Sequence, residues 1–239
     1  MRKGKLISIL ILVSLILNGC MYPQEKRAEN QVPYDNQIQS VQTAVDQYQQ
    51  DHGVLPIQTR DGNIQEYQRY VIDFRRLMPR YIQEPPGNSF ENGGTFQYVL
   101  MNVEEDPEVK VLQLSLMREI QEFQRFVNQY INKNGFAPVD ETVAPGLFTI
   151  DLDRLNYHRD ARVQSPYFDT YLPLLMDRSG QIYIDYSIDL NMALREFDHS
   201  YEEGEDIRQL LAEEFPVVPA FSVPYTIEDD EPVFMTEEI

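Results

Sequence analysis

The chain of 239 residues has a single cysteine, Cys20, no tryptophan and three histidines. One cysteine cannot form an internal disulfide or a thiolate metal cage, so the fold must be held by its apolar core. The histidines His52, His158 and His199 are far apart in sequence, and no pair has metal-ligand spacing. The sequence also lacks G-x-S-x-G, GxxxxGK[ST] and G-x-G-x-x-G, and so the local signatures of a hydrolase elbow or a phosphate-cradling loop. Basic residues are scarce, 20 against 39 acids. A surface this negative repels the phosphates of nucleic acid and gives no electrostatic attraction to an anionic membrane face. What is abundant is aromatic and aliphatic material, with 15 Tyr and 12 Phe in a chain that is 42% hydrophobic.

The N-terminus explains the lone cysteine. Met1-Arg2-Lys3-Gly4-Lys5 is cationic, Leu6 to Leu17 is nearly unbroken apolar sequence, and Leu17-Asn18-Gly19-Cys20 follows. The run is shorter than the roughly 20 residues a spanning helix needs, and has the layout of a signal h-region. The four-residue motif resembles a bacterial lipobox. That resemblance implies a signal peptide over residues 1–19, lipidation (diacylglyceryl, palmitate) at Cys20, and a cell-membrane protein anchored on the extracytoplasmic face. Two acyl chains suffice for stable anchoring where one does not. Residues 20–37, polar and without periodicity, are expected to form a tether.

Beyond the tether the sequence repeats. Ile38–Ile57 and Ile120–Val139 align without gaps, with eight of 20 positions identical, including Gln42/Gln124, Tyr48/Tyr130, Gly53/Gly135 and Pro56/Pro138. Three further blocks follow in order: Tyr70–Leu77 with Phe148–Leu155, Ile82–Pro85 with Val163–Pro166, and Gly94–Leu100 with Gly180–Tyr186. This pattern predicts a tandem duplication, module 1 over 38–113 and module 2 over 114–195. In each, a stripe at three- and four-residue spacing predicts an amphipathic helix, over 38–52 and 120–134: Ile38, Val41, Val45, Tyr48 and Ile120, Phe123, Val127, Tyr130. Gly53 and Gly135 are the expected helix stops, and both tyrosines are expected to be buried alike. Strands are expected at Phe96–Val103 and Ile182–Ile188. The fold class is therefore α+β, each helix packed on a small antiparallel sheet.

Asp73 and Asp151 recur at one module position and are the best candidates for a paired-carboxylate site. Each precedes a leucine-centred turn, which favours a capping role. Residues 196–239 carry 14 acids and one base, Arg208. Within this acidic tail, Glu205–Phe215 is expected to form a short helix, residues 205–225 to dock on module 2, and 227–239 to stay mobile. Glu202–Asp206 lacks the spacing of an EF-hand loop.

The helix exit Ala44–Tyr48, Asp51-His52-Gly53 and Leu55-Pro56, with the later Leu77–Ile82 and Gly94–Tyr98, resembles the globular part of type II pseudopilins and type IV pilin-like proteins. A prepilin-type leader is replaced here by the lipobox. Over its whole length the chain resembles YphF-type lipoproteins of Bacillus-like Gram-positive bacteria. These readings lead to a non-enzymatic, lipid-anchored protein that binds or scaffolds another envelope component, without catalytic residue, metal or cofactor. The alternative is a solute-binding lipoprotein serving an ABC-type transporter.

Overall fold

The computed structural model describes residues 35–58 and 66–235. Cys20, the signal segment, most of the expected tether and residues 236–239 lie outside them. The chain is α+β, built of helices on small antiparallel sheets.

Helix α1 spans Asp35–His52, three residues longer at its start than the stripe suggested, so residues 35–37 of the expected tether are helical. It buries Val41, Ala44, Val45 and Tyr48. Gly53 closes it with φ of 69°, a conformation that glycine adopts at little cost. Extended backbone at Ile57 then bridges Ile72, and a four-residue helical turn, α2 (Phe74–Leu77), leads to β1 (Phe96–Met101) and β2 (Glu108–Gln113). The hairpin is antiparallel, with Leu100 opposite Val109. Val71 bridges Val99, which extends the hairpin on its β1 side.

Gln113 ends β2 and Leu114 opens α3 (Leu114–Asn134) directly. The same plan follows. α3 buries Leu116, Ile120, Phe123 and Val127, and Gly135 closes it at φ 80°. Then come β3 (Val139–Ala144), β4 (Leu147–Ile150), the turn α4 (Leu152–Leu155), β5 (Arg162–Gln164), β6 (Tyr171–Asp177) and β7 (Ile182–Ile184). Strand order is β3-β4-β6-β5, with β7 also paired to β6.

Specific contacts recur between the halves. The Asp73 N–H donates to the Pro56 carbonyl at 2.7 Å, and the Asp151 N–H to that of Pro138 at 2.8 Å. Gln42 donates to the Pro107 carbonyl and accepts from the Val109 N–H, at 2.8 and 2.7 Å. Gln124 donates to the Gly180 carbonyl and accepts from the Ile182 N–H, at 2.7 and 2.8 Å. The glutamines make β7 the counterpart of β2. This corrects the alignment of Gly94–Leu100 with Gly180–Tyr186, since β1 corresponds to β6. The expected strand Ile182–Ile188 also stops at Ile184. The Asp185 carboxylate accepts the Ser187 N–H at 2.9 Å, a cap-like bond that turns the chain into α5 (Ser187–Glu196).

The acidic tail departs furthest from expectation. It contains α6 (Arg208–Glu214) and the hairpin β8 (Tyr225–Glu228) and β9 (Glu231–Phe234), so residues 227–235 are folded. Ile207, Leu210, Leu211, Val223 and Tyr225 join the module 2 core, as expected, and Ile227, expected to be mobile, joins it too. The stretch between them does not. Val217 pairs in parallel with Val111 on the open edge of β2, through Val111 N–H to the Pro216 carbonyl and Val218 N–H to the Val111 carbonyl. Val217 enters the module 1 core beneath α1, while Ala212, Val218 and Ala220 cover Val99, Met101 and Leu112 on the opposite face of that sheet. Both faces of β1 are thereby buried, so a tail rich in carboxylates acts through its apolar residues as the wedge joining the modules.

Candidate functional site

The two recurring aspartates are occupied locally. Asp73 accepts the Arg75 N–H at 3.2 Å and pairs with the Arg75 guanidinium at 2.8 Å; Asp151 accepts the Arg154 N–H at 2.9 Å and pairs with its guanidinium at 2.9 Å. Both are N-caps of a helical turn. Hydrogen bonding from Arg75 holds the Asp73 carboxyl below its ordinary value. The histidines are exposed and apart. His52 Nδ1 lies 3.0 Å from the Tyr48 carbonyl, and the aligned Asn134 amide donates to the Tyr130 carbonyl at 2.8 Å, so both side chains serve a helix end. Among the described residues no group of three His, Cys, Asp or Glu could hold a metal ion, and no helix is long and apolar enough to cross a membrane.

The surface that distinguishes module 2 is an aromatic and basic face on α3. At positions aligned with Phe126 and Tyr130, module 1 has Ala44 and Tyr48, both buried. Tyr48 is covered by His52, stacked at 4.2 Å, and by the edge of Tyr81 at 5.6 Å. Tyr130 lacks that cover and is only half-buried, contrary to the expected equivalence. It meets the edge of Phe136 at 5.8 Å, and Phe136 is 55% exposed. One turn earlier Phe126, 38% exposed, packs edge-on against Tyr157 at 5.3 Å, and Arg159 lies over the Tyr157 ring at 5.2 Å. Arg159 also pairs with Glu122 at 3.0 Å. Glu122, Arg125, Phe126 and Gln129 line a shallow groove of about 170 Å³. Burial, with Glu122 nearby, raises the Glu119 carboxyl above its ordinary value.

Aromatic rings set among arginines, an amide and the paired Glu122 resemble binding surfaces, where aromatic residues and Arg are enriched. The stripe reading missed this face because it counted Tyr130 as core. The available signal was Phe126, an aromatic at a position where the first copy has alanine. A second groove, about 300 Å³, lies in module 1 between the first turns of α1 (Asn36, Gln37, Ser40) and the loop Ile82–Gly87.

Residues 34–113 match the YphF family N-terminal domain. That match covers module 1 and stops where α3 begins. No curated protein and no solved structure matches the chain.

Proposed function

We propose that this YphF-type protein is a lipid-anchored extracytoplasmic protein that binds another envelope protein through the α3 face and has no catalytic role of its own. The anchor reading rests on the lipobox-like sequence ending at Cys20. The observation that carries the binding reading is the exposed pair Phe126 and Phe136, set with Tyr130 and Tyr157 among Arg125 and Arg159. The modules share a framework, and on this face module 2 exposes aromatic rings where module 1 buries Ala44 and Tyr48. The two best-placed acids, Asp73 and Asp151, are committed to capping, which supports a non-enzymatic role.

The solute-receptor alternative draws less support. Such a receptor holds its ligand between halves, whereas here the junction is filled by the packed side chains of Tyr67, Tyr167, Tyr186 and the tail.

The test is crosslinking in intact cells followed by affinity capture of the wild type, a Phe126→Ala/Phe136→Ala variant, and Val143→Ser as a control on the exposed β3 edge. One envelope protein captured by wild type and control but lost in the double variant supports the proposal. Equal capture by all three places binding elsewhere, and no specific capture by any of them removes the binding reading.

A further inference from the structure

Asp189 of α5 is fully buried at a point where three parts of the chain meet. Its partner is Ser165, in the loop after β5. The Ser165 oxygen accepts the N–H groups of Tyr167 and Phe168 at 2.9 and 3.1 Å, and its single proton is donated to Asp189 Oδ2 at 2.7 Å. Asp189 Oδ1 is buried without a hydrogen-bond partner, and so is the Tyr167 hydroxyl. An ionised carboxylate here has one donor and no countercharge, a costly arrangement in a dry interior. A neutral carboxyl keeps the Ser165 bond and loses the buried charge.

The titratable groups facing Asp189 are phenols: Tyr167 and Tyr186, whose ionisation the Asp189 charge would oppose, with Tyr67 close to both. The cation of α6, Arg208, is committed to Asp206 and lies over the Tyr67 ring at 5.3 Å. At the start of α5, Asp185 accepts the Tyr225 hydroxyl at 2.8 Å.

This cluster holds the tail. Tyr167 packs against the cores of both modules and lies 5.1 Å from Phe215, between α6 and the bridging residue Val217. The Tyr186 hydroxyl donates to the Ala220 carbonyl at 3.1 Å. The segment between these anchors is the one that completes the β2 edge.

We propose that Asp189 is a proton-operated latch on the C-terminal wedge: when neutral it keeps Tyr167, Tyr186 and residues 215–220 closed over the module junction, and when ionised it loosens them and releases Val217 from β2. Burial pushes its carboxyl up to about 6, against which the single Ser165 hydrogen bond acts only in part, so the latch would operate near neutrality.

Hydrogen exchange of the full chain, corrected for the intrinsic pH dependence of exchange, tests this. Protection of the Val111 and Val218 amides in the wild type should fall about tenfold between about pH 5 and pH 7.5, one decade for roughly one unit of the shift. Asp189→Asn, neutral at every pH, should keep the protection seen in acid throughout. A wild type without pH dependence, or a variant with the same dependence, overturns the latch. If the variant fails to fold, carboxyl-carbon NMR of the wild type decides: one aspartate titrating near 6 together with the Tyr167 and Phe168 amides supports the latch, and all aspartates titrating near 4 overturns it.

Discussion

Gln42 and Gln124 occupy the same place in the two modules and grip their sheets with matching amide bonds, even to a third bond down the helix, to Asp46 at 2.8 Å in one and Asn128 at 3.0 Å in the other. Each amide satisfies one backbone carbonyl and one backbone N–H at the start of a strand, fixing the height of helix over sheet. Replacing either with leucine leaves both groups half-buried and unpaired, at a cost of about 1–3 kcal/mol. Urea unfolding should show similar losses for Gln42→Leu and Gln124→Leu. A loss in only one would mean that the matching geometry does not carry matching energy.

The aspartate caps should behave as structure. Asp73→Ala and Asp151→Ala are each expected to lower stability by about 1 kcal/mol. Because the Asp73 pKa is depressed in the folded state, its contribution is present above the unfolded value of 3.8 and is lost as pH falls below it. The gap between wild type and Asp73→Ala should therefore close in acid, read as converging thermal midpoints.

Asp189 has the opposite sign. Its folded pKa lies about two units above the unfolded one, so the stability it confers is complete below about pH 4 and is lost as pH rises through about 6. At about 1.4 kcal/mol per unit the full swing is about 3 kcal/mol. Asp189→Asn should lack it and be no less stable than wild type at pH 7.5. Denaturation midpoints of both proteins across this range check the sign directly.

Truncation measures the wedge. Ending the chain after Thr226 removes Ile227 and strand β9, whose Phe234 packs on Tyr225 at 4.8 Å, so a clear fall in midpoint is expected. Ending it after Tyr201 also removes α6 and the Val217 bridge to β2 and should uncover both modules. Thermal unfolding of the two truncations should rank in that order, and equal midpoints would contradict the packing described.

Cys20→Ala is expected to block lipid labelling and leave a slower-migrating precursor. Unchanged mobility and labelling would remove the anchor from the proposal.

The helices, their glycine stops and the aspartate turns were legible because each is written locally: a stripe, a residue tolerant of positive φ, a side chain reaching its own backbone. The α3 face was half legible, since Phe126 stands out only when the copies are compared. Strand β2, Glu108–Gln113, alternates apolar and polar but abuts α3 without a turn to mark its end. Ile182–Ile188 looked like one strand because nothing in its composition announces that the chain will turn at Asp185 into a helix. The tail was misjudged in two places: its apolar segment was expected on module 2 alone, whereas Val217, Val218 and Ala220 cover module 1, and residues 227–239 were judged by their carboxylates. Their partners, Val111, Val99 and Leu112, lie in the other half of the molecule, and no local pattern reports such contacts. Asp189 gave no signal at all, because an acid in the first turn of a helix is ordinarily solvated.

The bridge between Val217 and Val111 also sets an order of events. Module 1 is made before module 2, yet the edge of its β2 and the outer face of β1 are completed by residues 212–220, which follow module 2 in the chain. As the polypeptide emerges, that half must wait with a bare sheet edge and exposed valines, the surface most prone to pair with another chain. Contacts of such sequence separation slow folding. The first half of this protein is finished only when residues 212–220 have arrived.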